Sequence, residues 1–281
     1  MMRIPHLIAA TACACMTAVD SEAQQASPAL GFTYADLADR SLAAPVAMVV
    51  TISEAIRLDP AQSAGVPPGH ARLYIEATAN RLIRGPTDIP PLVRYLADVP
   101  LDPKGKVRKL KKAQMLVLAR AVSGRAGELQ LVARDAQMPL TPDIERQVRA
   151  ILTEAVRADA PPPITGVASA FHVAGTIEGE GETQIFLSTR DNRPISLNVL
   201  RRPGQERSWS VALSEVVDEA AKPPVRETLL WYRLACGLPP SLPAEAVGEL
   251  DGSAAAAARA DYAFVRVQLG ACARSRPVRT S

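Results

Sequence analysis

The chain reads as an α+β protein. The expected parts are a small antiparallel β barrel or sandwich, a linking amphipathic helix, a second antiparallel β meander and a disulfide-stapled C-terminal helical hairpin. Three observations predict this. Short Val/Ile/Thr-rich stretches separated by Gly/Pro clusters fill residues 46–134 and recur over 164–213. One capped stretch of helical period, 141–155, stands between them. Two cysteines, Cys236 and Cys272, fall on apolar faces of helical spacing near the end.

The elements follow in order. Residues 24–44 form a polar N-terminal tail with a short helix around Tyr34–Ser41. Val46–Leu58 is β-branched and ends at Asp59-Pro60. Ala71–Ile83 alternates, with Leu73, Ile75 and Ala77 on one side and Tyr74, Glu76 and Thr78 on the other. Between these two strands, Gly65-Val66-Pro67-Pro68-Gly69 supplies a turn. Leu92–Val99, Gln114–Val122 and Glu128–Arg134 make five strands in all, the last two joined through Ser123–Gly127 as a hairpin. Five short strands close most economically into a barrel or sandwich.

Thr141 caps the linking helix, Pro142 suits its first position, and Asp143 and Glu145 complement its positive end. Ile144, Val148, Ile151, Leu152 and Ala155 bury one face. Pro161-Pro162-Pro163 stops any helix and marks the expected boundary. The β-rich domain with its closing helix spans 45–158, the proline linker 159–163, and the second unit 164–281. In that unit, Val167–Gly175, Thr183–Thr189, Pro194–Leu200 and Ser208–Leu213 form the meander. Pro224–Cys236 then places Val225, Leu229, Tyr232 and Cys236 on one helical face. A final helix from Ser253 aligns Tyr262, Val265, Leu269 and Cys272.

The N-terminus carries an address. Arg3 precedes a short apolar run, Ile4–Val19, interrupted by Pro5 and His6, and small and polar residues follow at Asp20-Ser21-Glu22-Ala23. This is the layout of a secretory signal peptide over residues 1–23, cut after Ala23 or, alternatively, after Ala26. Lipid anchoring at Cys13 is the minor alternative, since the usual Leu three residues before it is missing. The run is too short and too weakly apolar to span a bilayer. Export to the periplasm or beyond places Cys236 and Cys272 where disulfides form. Their bridge is expected to stabilise the fold by roughly 4 kcal/mol on the chain-entropy model.

Composition narrows the function. Of 281 residues, 32 are Lys or Arg and 29 Asp or Glu, a formal charge of +3. Lysine is scarce, yet Lys104, Lys106, Lys109, Lys111 and Lys112 crowd into one stretch with Arg108 and no acidic residue. Such a run suits docking on an anionic envelope surface or an acidic protein patch. The plainer reading is a solvated connection, or lysines guarding a sheet edge. Nucleic acid is not expected, because no aromatic residue interleaves the run.

The catalytic signals are weaker. His172 with Glu182, brought near each other by a hairpin, is the one acid/base candidate, against a structural histidine. Glu178, Glu180 and Glu182 alternate in a Gly-rich loop and lack the spacing of a calcium loop. No nucleophile motif, metal cluster or nucleotide loop is present, so no cofactor and no metal are expected. Trp209 and Trp231 read as core anchors, unless Trp209 lies exposed beside Arg201, Arg202 and Arg207. The expected function is a non-catalytic binding or accessory role in a bacterial envelope. The alternatives are a secreted hydrolase using His172 and a carrier of a small apolar ligand.

Overall fold

The computed structural model describes residues 31–213 and 221–275. The expected signal peptide, the first part of the tail and Cys13 lie outside the described residues.

Thr33 starts α1 (Tyr34–Ala43) with a capping box, its hydroxyl accepting from the Asp36 amide while the Asp36 carboxylate accepts from the Thr33 amide. β1 (Val46–Arg57) follows after Pro45 and pairs antiparallel with β2 (His70–Arg84). β2 pairs with β3 (Leu92–Pro100). β4 (Gln114–Ala121) returns along the other edge of β1, and β5 (Glu128–Leu131) bridges β4 to β3, running parallel to β3. The order β1-β2-β3-β5-β4, closed by β4 on β1, makes a five-stranded barrel. A sixth strand, β6 (Gln137–Pro139), continues beside β4.

The barrel differs from the sequence reading in its last strand. Expected to Arg134, β5 stops at Leu131, and the chain turns so that Asp135 meets Arg40 of α1. Arg40 Nε and Nη2 donate to its two carboxylate oxygens at 2.8 and 2.6 Å. That charge-assisted pair spends the residues that would have lengthened the strand. Period-2 alternation sorts the rest. Val46, Met48, Val50, Ile52, Leu73, Ile75, Tyr95, Met115 and Val117 fill the barrel interior, as small barrels require. Ala47, Leu116 and Leu118 face outward into a second core.

α2 (Pro142–Ala155) begins as expected, with Thr141 Oγ1 accepting from the Ile144 amide at 3.2 Å. Its face of Ile144, Val148, Ile151 and Leu152 packs into that second core. The meander comprises β7 (Ile164–Ala174), β8 (Gly181–Thr189), β9 (Ile195–Arg201) and β10 (Ser208–Ala212), each antiparallel to the next. Its inner face, with Ile185, Leu187, Leu197 and Val199, joins the same core.

The helical end is shorter than its pattern. α3 spans Leu229–Gly237, not Pro224–Cys236. Glu227 takes a left-handed φ of 58°, which no helix accommodates, and Thr228 becomes the cap. Val225, expected on the buried face, is 75% exposed, and Trp231 and Leu234 are buried instead. α4 (Gly252–Leu269) is capped by Asp251 and ended by Gly270 at φ 72°. Cys272 therefore lies just past the helix. Its disulfide to Cys236 joins the end of α3 to the segment after α4. Ser275 completes the seam, its amide and hydroxyl donating to the buried Asp36 carboxylate at 3.1 and 2.5 Å.

Candidate functional site

The lysine-rich stretch closes one end of the barrel. Its backbone is tightly built. Asp102 Oδ1 accepts from the amides of Lys104 and Lys106, both at 2.8 Å. The Gly105 amide donates to the Asp102 carbonyl at 2.9 Å. Gly105 has φ 73°, so this turn favours glycine. Leu101 and Val107 form a bridge across it. Further on, the Lys112 amide donates to the Ile52 carbonyl at 2.8 Å and the Ile52 amide to the Ala113 carbonyl at 3.0 Å. The Leu101 amide ties the stretch to the β1–β2 loop through the Gly69 carbonyl at 2.8 Å.

Apolar and cationic side chains separate cleanly on this platform. Val107, Leu110 and Ala113 pack against the barrel interior. Lys104, Lys106, Arg108, Lys109, Lys111 and Lys112 are all exposed. The ion pairs on the adjoining wall are Arg72–Asp98 and Arg94–Glu76. None of the six joins such a pair with a described residue. Among the described residues, Lys112 is one of three non-glycine residues at positive φ, a conformation that costs about 1 kcal/mol or more.

Charge is concentrated here. Residues 54–72 and 98–114 hold eight Lys and Arg against four Asp and Glu, an excess of four. The whole chain carries only +3, so the remainder is weakly negative. Of the four acids, Asp98 is held by Arg72 and Asp102 by the turn amides. The sequence placed the cations together. It did not place them on a barrel mouth with the β1–β2 loop beside them.

His172 sits elsewhere, on β7 opposite Thr183 of β8, while Glu182 pairs with Val173 on the adjacent rung. Adjacent rungs face opposite sides of a sheet, so the hairpin brings His172 and Glu182 near in sequence register and separates their side chains. His172 instead meets a hydroxyl. Its Nδ1 lies 2.8 Å from Thr183 Oγ1, and that hydroxyl donates to Asp261 Oδ2 at 2.5 Å. Asp261, on α4, is 0% exposed. Arg201 Nε donates to its Oδ1 at 2.8 Å, Arg201 Nη2 approaches to 2.7 Å, and Arg207 stands 3.6 Å away.

This chain of bonds fixes a tautomer. Thr183 has one proton and donates it to Asp261 in a hydrogen bond, so His172 Nδ1 must be the donor to Thr183; whenever the ring is neutral, Nε2 then carries the lone pair. A Cβ at Gly181 would lie 2.9 Å from His172 Cε1 and 3.2 Å from the Val173 carbonyl, so the ring's seat requires glycine. Asp261 escaped the sequence reading. The available signal was a carboxylate at helical spacing with Ala258 and Val265, on a face that is otherwise apolar.

Two clefts lie away from this relay. One, about 220 Å³, is lined by Phe32, Tyr34, Ile144, Arg226, Trp231 and Ala271. The other, about 360 Å³, lies at the barrel end opposite the lysines, between Pro86–Pro90 and Ala121–Leu129. His172 lines neither. Trp209 is 8% exposed, so it anchors the core and does not form a surface with Arg201, Arg202 and Arg207. Glu178, Glu180 and Glu182 lie on the β7–β8 turn and strand edge, with the Gly175 amide bonded to the Glu180 carbonyl. Among the described residues, no group of three acidic, His or Cys side chains is placed to hold a metal ion.

No family model matches the chain, and no curated protein matches it in sequence.

Proposed function

We propose that this is an exported, non-catalytic envelope protein that docks through the lysine-capped end of its barrel onto an anionic surface or an acidic partner. One observation carries the reading. Six cations project from a hydrogen-bonded platform whose apolar residues plug the barrel, and no described carboxylate neutralises them. A merely solvated connection needs no such fixed backbone. A fixed array loses less freedom on binding and concentrates positive potential on one face. The Cys236–Cys272 disulfide is compatible with an oxidising compartment, and no helix of the described residues is long and apolar enough to cross a membrane.

The test is retention on immobilised dextran sulfate in a salt gradient. Wild type is compared with a variant carrying Gln at Lys104, Lys106, Lys109, Lys111 and Lys112. A control neutralises Arg125, Arg146, Arg157, Arg193 and Arg202 by the same substitution. Docking predicts that the lysine variant elutes at much lower salt than the control. Equal elution of the two would reduce the effect to net charge and end the proposal.

A second reading, a hydrolase using His172, has one observation behind it: the Thr183–Asp261 relay orients the ring through Nδ1. Hydrolysis of chromogenic esters by wild type, lost in His172→Ala, would support it. Identical rates would dismiss it.

A further inference from the structure

The outer wall of the barrel next to the lysine platform carries an apolar row. Ile56 of β1 pairs with Tyr74 of β2, and Tyr74 with Leu96 of β3. A register shift between Ile52 and Glu54 turns Ile56 outward; without that bulge it would continue the inward series of Val50 and Ile52. Ile56 is 47% and Leu96 48% exposed. The three side chains stand side by side on one face. Ile56 stands level with its partner Tyr74, and the row lies about 13 Å from the β2 and β3 ends at His70 and Pro100, at 3.3 Å per residue. Arg72 and Asp98 neutralise each other on the intervening rungs.

Apolar side chains on the wall next to lysines that pair with no described carboxylate form the two-part surface that suits a bilayer interface, where aliphatic groups and a Tyr ring enter the headgroup region and cations meet lipid phosphates. A soluble polyanion without apolar groups would use the lysines and leave the row in water. Resting on the docking reading above, we infer that the anionic surface is a phospholipid bilayer, engaged by the lysine platform and the Ile56–Tyr74–Leu96 row together. The charge complementarity is specific: the excess of four cations lies on this face of the molecule, and the rest of the chain, without the expected signal peptide, is neutral overall.

The experiment is co-sedimentation of the folded chain with vesicles of phosphatidylcholine containing one third phosphatidylglycerol, with pure phosphatidylcholine vesicles as control and soluble dextran sulfate as competitor. The variants are the five-lysine Gln protein and Ile56→Thr/Leu96→Thr, which places β-branched residues suited to strands at both exposed positions. Circular dichroism confirms that each is folded. Each lysine is expected to contribute about fivefold in affinity, so the Gln protein, which loses five, should bind at least about a thousandfold more weakly. The Thr variant should lose about tenfold on the anionic vesicles and nothing on dextran sulfate. Anionic vesicles bound equally by wild type and the Thr variant would overturn the inference. So would binding to dextran sulfate without binding to vesicles, which leaves the docking reading standing. Binding to neither would overturn both.

Discussion

Removing the carboxylate of Asp261 should loosen the contact between α4 and the meander more than any surface change. Asp261 accepts from Thr183 and Arg201 in a fully buried position. Stripping one member from a buried pair costs about 3–5 kcal/mol, because the other charge is stranded. Arg201 keeps 22% side-chain exposure, so water recovers part of that loss, and Asp261→Ala should cost about 2–3 kcal/mol. For a chain of this size that is a fall in Tm of about 5–10 °C. Thr183→Val should cost about 1–2 kcal/mol. The double variant should fall short of additivity by about 1 kcal/mol, since the two side chains share one hydrogen bond. Urea unfolding with the disulfide intact, followed through Trp209 and Trp231, measures all three. Full additivity, with Asp261→Ala losing less than about 0.5 kcal/mol, would refute the buried relay.

Other outcomes follow from the same geometry. Replacing Cys236 and Cys272 by Ser should lower stability by roughly 3–4 kcal/mol, read as a drop in Tm. Burial alone would raise the Asp36 carboxyl, but hydrogen bonds from Ser275 and Thr33 outweigh it and hold the group below its ordinary value. A depressed acid stabilises the fold above its unfolded value, and that contribution is lost as pH falls through the folded one. Ser275→Ala should therefore narrow the stability gap to wild type as the solution is acidified below the usual carboxylate range, measured by urea unfolding at a series of pH values. The five-lysine Gln protein should unfold within about 0.5 kcal/mol of wild type, because those side chains are exposed and form no ion pair with a described residue. Nitrogen-15 spectra of neutral His172 should report a proton on Nδ1; a proton on Nε2 would refute the tautomer assignment.

The fold was legible where local chemistry and packing agree. Thr141-Pro142 with the face Ile144–Val148–Ile151 specified α2, and the alternation of Leu73, Ile75 and Ala77 specified the inward side of β2. It was illegible where a distant partner overrides local preference. β5 stops early because Arg40, almost a hundred residues away, captures Asp135. α3 starts late because Glu227 turns left-handed, although Val225 continues the apolar spacing. For the candidate site, sequence spacing located all six cations but not the exposed row beside them, since Ile56 faces outward only through a bulge. His172 could be noticed; Asp261 showed only as a carboxylate on the apolar face of α4, and its partners could not be read because a relay across three elements has no signature in spacing.

The central claim is that the lysine-capped barrel end is the docking surface. Its most direct test is an amide NMR titration of the isotope-labelled chain with short-chain polyphosphate. Shifts should be confined to residues 101–113 and the neighbouring 58–70 loop, and absent from the five-lysine Gln variant. Shifts centred on Arg201–Arg207, or unchanged in that variant, would contradict it.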